Sequence, residues 1–219
     1  MGIAERKERE KMRRRVEIIN AAEKVFFNKG FDNTTMEDVA AKAELSKATL
    51  YLYFSKKTEL CLAITVRSLK ILTQMLEKIP QTQQSGIARF QAVADTFIEF
   101  YSRHLDYYNV LVNYRSHAGN CDAESTVLGD IFAENEKINV ILAGIVVQGL
   151  EDRTIRPDID PHKIAYALWG QLSGLMPNIM TSIGMTETVN RIEKYNPVEI
   201  FLYTFNLIRI GLENSNGAK

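Results

Sequence analysis

The stretch TMEDVAAKAELSKATLYLYF, residues 35–54, decides the fold of this 219-residue chain. Its pattern predicts two short helices joined by a tight turn at residues 43–45, which is the spacing of a helix-turn-helix. The second helix of such a motif has the width to lie in the major groove of DNA. Leu50 and Phe54 stand four residues apart, so we expect both to point inward and to leave a short polar surface outside.

Hydroxyl and carboxylate side chains mark where the two short helices begin. Thr34 and Thr35 offer an N-cap for the first helix, and Glu37 or Asp38 completes a capping box. Ser46 offers the N-cap of the second helix. These local signals agree with the apolar pattern about where the motif begins and where it turns.

The remainder of the chain is also predicted to be helical. Apolar residues recur at steps of three and four, while glycine (12 residues) and proline (5 residues) are sparse. We therefore predict an all-α fold of about nine helices, with an amino-terminal helix-turn-helix domain over residues 12–60 and a carboxy-terminal helical bundle over 61–219. The polar segment 81–86 is the best-marked break between two units. With capping residues included, the predicted helices cover residues 13–28, 35–43, 46–53, 55–80, 87–104, 107–115, 124–151, 161–183 and 197–212.

Charge is balanced over the chain but unevenly distributed along it. The 27 basic and 27 acidic side chains cancel, which excludes a uniformly basic protein that coats nucleic acid. Residues 1–60 carry 13 basic and 10 acidic side chains, whereas residues 61–219 carry 14 and 17. Seven basic residues and two glutamates fall within residues 6–15. This segment is either an arm that reaches phosphates or a minor groove, or a solvated, disordered leader.

Cysteine usage and hydropathy predict a cytoplasmic protein. Only Cys61 and Cys121 occur, and both are expected to be reduced thiols, since exported proteins of this size more often carry a denser, paired set. The longest apolar run, residues 140–147, is too short to span a bilayer. No membrane partner is therefore predicted.

The sequence lacks the motifs that would indicate an enzyme. It has no glycine-rich phosphate loop, no G-x-S-x-G nucleophile motif and no histidine pair with metal-ligand spacing. We therefore predict that the chain is not an enzyme and needs no metal or cofactor. A helical adaptor that binds no DNA is the remaining alternative, because all-helical folds serve many functions.

Two longer stretches carry several motifs in a fixed order. IINAAEKVFFNKGFDNTTMEDVAAKAELSKATLYLYFSKKTEL (residues 18–60) contains an alanine pair, a phenylalanine before a Lys-Gly turn, two threonines, Leu-Tyr-x-Tyr-Phe and Lys-x-x-Leu. In these motifs the sequence resembles the tetracycline-repressor (TetR) family of bacterial transcription regulators. RPDIDPHKIAYALWGQLSGL (residues 156–175) is similar to the family's lead into its penultimate helix. Glu44 departs from the family's usual glycine, which costs roughly 1 to 2 kcal/mol if the turn is left-handed there.

The resemblance implies a ligand-responsive regulator that binds a palindromic operator as a homodimer, represses transcription and is released by a small organic effector. Its second short helix is then the recognition helix, and the tyrosines that follow bind phosphates. Lys57, at the amino end of the fourth helix, opposes the helix dipole and makes an anion pocket if free amides lie beside it. The residues implied to bind DNA are Thr35, Ser46, Lys47, Ala48, Thr49, Tyr51, Tyr53 and Lys57.

The carboxy-terminal bundle is implied to hold the effector and to form the dimer, with half-sites about 34 to 36 Å apart on the DNA. Aromatic rings with a few polar tips suit an amphipathic ligand, and small residues permit close helix approach. For every candidate residue, packing in the protomer's own core is the alternative. The effector candidates are Met75, Phe97, Phe100, Tyr101, His104, Tyr108, Tyr114, His117 and Trp169. The dimer candidates are Ala165, Leu168, Gly170, Leu172, Gly174, Ile200, Tyr203, Leu207 and Ile210.

Overall fold

The structure of the chain is a computed structural model. It describes residues 2–79, 85–118, 126–186 and 196–214, with side chains over 2–79, 85–111, 127–174, 196 and 198–214. Within these ranges the chain forms nine helices and no strand, apart from one isolated antiparallel bridge between Ile155 and Glu213. The predicted all-α fold is confirmed. Cys121 and residues 81–84 of the predicted break lie outside the described residues.

The order of the helices along the chain is the predicted one. Eight of the nine lie within three residues of their predicted bounds at both ends, and the ninth begins earlier than expected. No helix among the described residues combines the length and the apolar character that a membrane crossing requires. The helices are α1 (Ile3–Lys29), α2 (Met36–Lys42), α3 (Lys47–Tyr51), α4 (Lys57–Glu77), α5 (Gly86–Arg103), α6 (Leu105–Ala118), α7 (Thr126–Glu151), α8 (Pro161–Thr186) and α9 (Pro197–Leu212).

Helix α1 corrects the prediction at its amino end, because it begins at Ile3 and not at Arg13. The predicted start was taken from the apolar stripe, and the residues before Val16 have none. They are instead rich in Arg, Lys, Glu and Met, which favour helix, and contain neither glycine nor proline after Gly2. The basic segment 6–15 is therefore helical, and the disordered leader is excluded.

The chain folds into two compact units. The first comprises residues 1–68 and 113–131, and the second comprises residues 69–112 and 132–219. The core of the first unit contains fully buried side chains from each of the helices α1 to α4. They include Ile18, Val39, Leu50 and Leu60. Arg67 on α4 fixes α1, since its guanidinium lies 2.8 Å from the Glu23 carboxylate and donates to Asn20 at 2.7 Å.

In the second unit the amino end of α5 is capped by the loop that follows α7. The amide of Gly86 donates to the carboxylate of Asp152 at 2.6 Å, and the amide of Ile87 donates to the hydroxyl of Thr154 at 3.1 Å. Gly86 also meets the backbone of Gly149 so closely that no side chain fits between them. The first amides of α5 thus find acceptors that lie more than sixty residues away in the chain.

Candidate nucleic-acid interface

The turn between α2 and α3 is closed by a left-handed residue. Glu44 has a φ of 56°, so the left-handed conformation that the sequence left open at this position occurs. Its amide donates to the carbonyl of Ala41 at 3.2 Å, and the amide of Leu45 donates to the carbonyl of Ala40 at 2.9 Å. This pair of bonds is a Schellman motif, which ends α2 sharply and sets the direction in which α3 leaves. A glutamate here carries a Cβ that the left-handed conformation disfavours.

We therefore predict that Glu44→Gly preserves or raises the stability of the protein, by up to about 1 kcal/mol. Relief of the left-handed strain outweighs the greater chain entropy that glycine brings to the unfolded state. Thermal unfolding measures the change, and Ala43→Gly is the matched control because Ala43 lies one residue earlier at a φ of −84°. The control should lose about 0.5 to 1 kcal/mol. A melting midpoint several degrees lower for Glu44→Gly contradicts the assignment of strain to this residue.

Thr35 begins α2 through a complete capping box. Its hydroxyl accepts from the amide of Asp38 at 3.1 Å and donates to the Asp38 carboxylate at 2.9 Å, while its own amide donates to the same carboxylate at 3.0 Å. Lys29 donates to the other carboxylate oxygen at 2.6 Å. The Lys29 hydrogen bond, followed by the bonds from Thr35, lowers the pKa of Asp38 to about 2. The Thr35 hydroxyl would have to leave Asp38 in order to bond a phosphate.

The start of α3 is exposed and polar. Ser46 caps it, accepting from the amide of Thr49 at 3.1 Å, as predicted. Lys47 forms an ion pair with Glu37 on α2, which raises the pKa of the lysine and lowers that of the glutamate. The Lys47 ammonium also lies 5.8 Å from the centre of the Tyr51 ring. The sequence pattern carried no sign of the Glu37 pair, because the two residues are ten positions apart on different helices.

Two buried residues anchor this surface from below. Leu50 is 0% exposed and Phe54 is 1% exposed, so the prediction that both point inward is confirmed. The guanidinium of Arg15 lies 4.3 Å from the centre of the Phe54 ring and covers it from α1. Tyr51 is exposed and Tyr53 is half-buried. Leu52, which the sequence analysis passed over, stands between them and is 81% exposed.

Lys57 turns back toward the loop between α1 and α2. Its ammonium donates to the carbonyls of Phe31 at 2.6 Å, Asp32 at 3.3 Å and Thr34 at 2.8 Å. It also lies 4.3 Å from the centre of the Phe31 ring. A lysine ammonium has three N–H donors, and each of them has a carbonyl acceptor here. A phosphate contact from Lys57 would therefore require one of these bonds to open.

The predicted effector residues of the second unit form a packed aromatic cluster. Phe97 stacks on Phe201 with centroids 5.8 Å apart, and Tyr101 meets the edge of Tyr108 at 5.0 Å. Burial raises the pKa of the Tyr108 hydroxyl, which has no hydrogen-bond partner among the described residues. Five of the effector candidates belong to the cluster: Phe97, Phe100, Tyr101, His104 and Tyr108. Phe201 and Phe205 on α9 complete it, and neither was among the candidates predicted from the sequence.

The other effector candidates lie apart from this cluster. Met75 is half-buried on α4 and Trp169 is 9% exposed on α8, while the side chains of Tyr114 and His117 lie outside the described residues. Two surface grooves of about 590 and 400 Å³ occur in the second unit. None of the candidates with described side chains lines either groove, and no cluster of metal-ligating side chains occurs in the described residues.

The dimer candidates divide into buried and exposed sets. Ala165, Leu168 and Leu172 are each 1% exposed and pack in the core of their own unit, which is the alternative that the sequence left open. Gly174 and Ile200 are half-buried, and Gly170 is exposed. The remaining three are apolar and exposed on one face of α9: Tyr203 (68%), Leu207 (52%) and Ile210 (54%).

Known proteins resemble this chain in sequence and in fold. The sequence model described as "Bacterial regulatory proteins, tetR family" matches residues 18–64. The HTH-type transcriptional activator FasR of Mycolicibacterium smegmatis is 32% identical over 87 residues, which span 40% of this chain and 40% of FasR. The match therefore covers less than half of that relative's length. Relatives of this kind are named as regulators of transcription and not as enzymes, in agreement with the prediction.

Solved structures extend the likeness over nearly the whole chain. A bacterial regulatory protein of the tetR family from Rhodococcus RHA1 superposes with a TM-score of 0.62 at 16% identity, over 93% of this chain and 98% of that one. AibR, in complex with isovaleryl coenzyme A and operator DNA, superposes with a TM-score of 0.58 at 19% identity, over 92% and 98%. At these identities the superpositions establish the fold. Together with the match at residues 18–64, they show that the chain carries the amino-terminal segment of the TetR family of bacterial regulatory proteins and has the fold of these structures.

Proposed function

We propose that this protein regulates transcription by binding operator DNA, with α3 of the first unit in the major groove. One observation carries the proposal: α3 presents an exposed, polar first turn while Leu50 and Phe54, both buried, fix its other face. A helix held in this way projects side chains outward without losing its own orientation. The recognition helix of a helix-turn-helix meets base edges with its amino-terminal residues, which here are Lys47, Ala48 and Thr49.

The candidate contact residues divide by the part of DNA that each can reach. Lys47 and Thr49 stand on the first turn of α3, where they can reach base edges. Tyr51 and Tyr53 follow at the other end, where a phenol suits a phosphate oxygen. Lys47 is paired with Glu37, but both side chains are more than half exposed, so the pair is weak and can exchange for a contact with DNA.

The functional form in this proposal is a homodimer. One short recognition helix makes too few base contacts for a specific operator, and two copies on a two-fold axis read a palindrome with half-sites about 34 to 36 Å apart. Tyr203, Leu207 and Ile210 follow one another at steps of four and three, so they form a continuous apolar strip on α9. A second copy of the same strip covers it by symmetry.

The second unit is proposed to bind a small organic effector that releases the DNA. AibR carries both isovaleryl coenzyme A and operator DNA in a fold of this kind, which supports an effector site in the helical unit. If the effector binds better to a state with wrongly spaced recognition helices, DNA must weaken effector binding by the same factor. Repression needs only that the dimer occupy the promoter, whereas FasR is named an activator. Reporter transcription from a promoter that overlaps the operator distinguishes repression from activation.

Selection of bound sequences from a random pool of duplexes tests the proposal. We expect a palindrome to emerge. Tyr51→Phe should then weaken binding about fivefold on all selected sequences, the equivalent of one hydrogen bond, whereas Lys47→Ala and Thr49→Ala should change the preferred base. Lys70→Ala, which removes an exposed lysine of the second unit, is the control and should leave both unchanged. If no duplex is enriched, the helical adaptor becomes the better account.

A further inference from the structure

The first four turns of α1 form a strongly basic surface that nothing in the fold requires. Residues 2–13 are all exposed, and even their apolar members stand in solvent, with Ile3 80% and Met12 53% exposed. This part of the helix therefore contributes no side chain to the apolar core of its unit. We call residues 3–15 the basic extension; it holds seven basic residues and three glutamates, and its thirteen residues measure about 20 Å.

The charges of the basic extension repel one another. Lys7 and Lys11, Lys11 and Arg15, and Arg9 and Arg13 each stand four residues apart, where like charges destabilise a helix. Cations near the amino end also oppose the helix dipole. Arg13 and Arg14 share the single carboxylate of Glu17, at 3.7 and 3.0 Å. The three glutamates of the basic extension leave it a net charge of +4, and a polyanion would lower the repulsion that remains.

One face of the basic extension concentrates guanidinium groups. Arg6, Arg9 and Arg13 line a shallow depression of about 330 Å³ together with Glu10. They follow one another at steps of three and four, so all three face the same side over about 10 Å of helix. A DNA duplex presents a negative charge every ~1.7 Å along its axis, which gives each guanidinium a phosphate within reach.

The basic extension is continuous with the proposed DNA surface. It ends at Arg15, whose guanidinium covers Phe54 at 4.3 Å, and Phe54 directly follows Tyr53. The basic extension therefore runs from Arg15, which lies beside the carboxy-terminal side of α3, to the amino end of α1. Resting on the proposed function, we propose that the basic extension is a second phosphate-binding surface, which grips the DNA backbone beside the half-site read by α3.

This contact has a measurable signature in salt. Each phosphate neutralised contributes about 0.9 to the slope of the logarithm of the association constant against the logarithm of salt concentration. A triple variant, Arg6→Gln, Arg9→Gln and Arg13→Gln, removes six guanidinium groups from the proposed dimer. It should lower that slope by about 5 on a selected operator with ten base pairs of flank on each side. The selected base sequence should not change, because phosphates carry no direct sequence information.

Two controls separate this effect from net charge and from folding. The first control is a triple variant in which Lys70, Lys78 and Lys163 are changed to glutamine. It removes the same charge from exposed positions of the second unit and should leave the salt slope unchanged. The melting midpoint of the triple arginine variant should lie within a few degrees of that of the unchanged protein, since all three side chains are exposed. On a duplex trimmed to the palindrome, the two proteins should bind alike.

The outcomes are distinguishable. If the triple arginine variant keeps the full slope on the flanked operator while the protein still selects a palindrome, the basic extension does not bind DNA, and the proposed function stands. If the charge control lowers the slope equally, the effect is one of net charge and the assignment to this surface is wrong. If the unchanged protein binds no duplex at all, the proposed function fails, and this inference fails with it.

Discussion

Gly86→Ala will lower the free energy of unfolding by roughly 3 kcal/mol, at the upper end of what overpacking costs. A Cβ placed on Gly86 lies less than 3.0 Å from the backbone nitrogen and Cα of Gly149. A flexible side chain could rotate away from such a collision, but main-chain atoms near the end of a helix cannot. The start of α5 and the end of α7 must therefore move apart.

Moving them apart also breaks the hydrogen bonds from the start of α5 to the loop after α7. The amide of Gly86 loses the Asp152 carboxylate, now 2.6 Å away, and the amide of Ile87 loses the Thr154 hydroxyl at 3.1 Å. Gly86 is buried and Ile87 is half-buried, so water compensates poorly for either lost acceptor. Burial opposes ionisation of Asp152, but the hydrogen bonds from Thr154 and from the amide of Gly86 outweigh it and lower the pKa of Asp152. The collision and the lost caps act together, which is why the expected effect is large.

Thermal unfolding monitored by circular dichroism measures the change, and a loss of 3 kcal/mol corresponds to about 6 to 12 °C for a protein of this size. Gly144→Ala is the matched control, because a Cβ on Gly144 in the middle of α7 meets no atom within 4 Å. That variant should gain about 0.5 to 1 kcal/mol from the better helix propensity of alanine. A Gly86→Ala protein that melts within a degree of the unchanged one would rule out the close approach of the two backbones.

Much of the first unit could be predicted because its signals are local. Thr35 and Ser46 each cap a helix through bonds that span three residues, and Glu44 stands where a short turn requires a left-handed residue. Leu50 and Phe54 share a face because they are four apart. Each of these features depends on the backbone of a few neighbouring residues, so the local sequence is sufficient to predict it.

The contacts that escaped prediction join residues far apart in the chain. The Gly86 amide meets Asp152 across 66 positions, and Lys57 meets Phe31 across 26. Hydrophobic periodicity shows which face of a helix is buried but not what lies opposite, which is why the effector candidates and the core residues of α8 could not be separated. The start of α1 escaped for a different reason: an exposed helix with no apolar stripe leaves only its propensities to be read.

Lys57→Met will lower the free energy of unfolding of the first unit by roughly 3 kcal/mol, because three backbone carbonyls lose a charged donor. The carbonyls of Phe31 and Thr34 are part-buried, so water replaces the lost ammonium poorly at both of them. Methionine keeps the length and apolar stem of the side chain, so the loss reports the ammonium alone. The loop that sets α2 against α1 should loosen as a result.

The same variant decides between two roles for this lysine, since the resemblance implies a phosphate contact and the structure shows a clamp on the loop between α1 and α2. A clamp predicts a melting midpoint several degrees lower and an unchanged salt slope of operator binding at temperatures where the variant is folded. A phosphate contact from each protomer of the dimer predicts an unchanged midpoint and a slope smaller by about 1.8. Lys24→Met, which removes an exposed lysine of α1 in the same unit, should change the stability by less than about 0.5 kcal/mol. We expect the clamp, because in the structure all three N–H groups of the ammonium already have carbonyl acceptors.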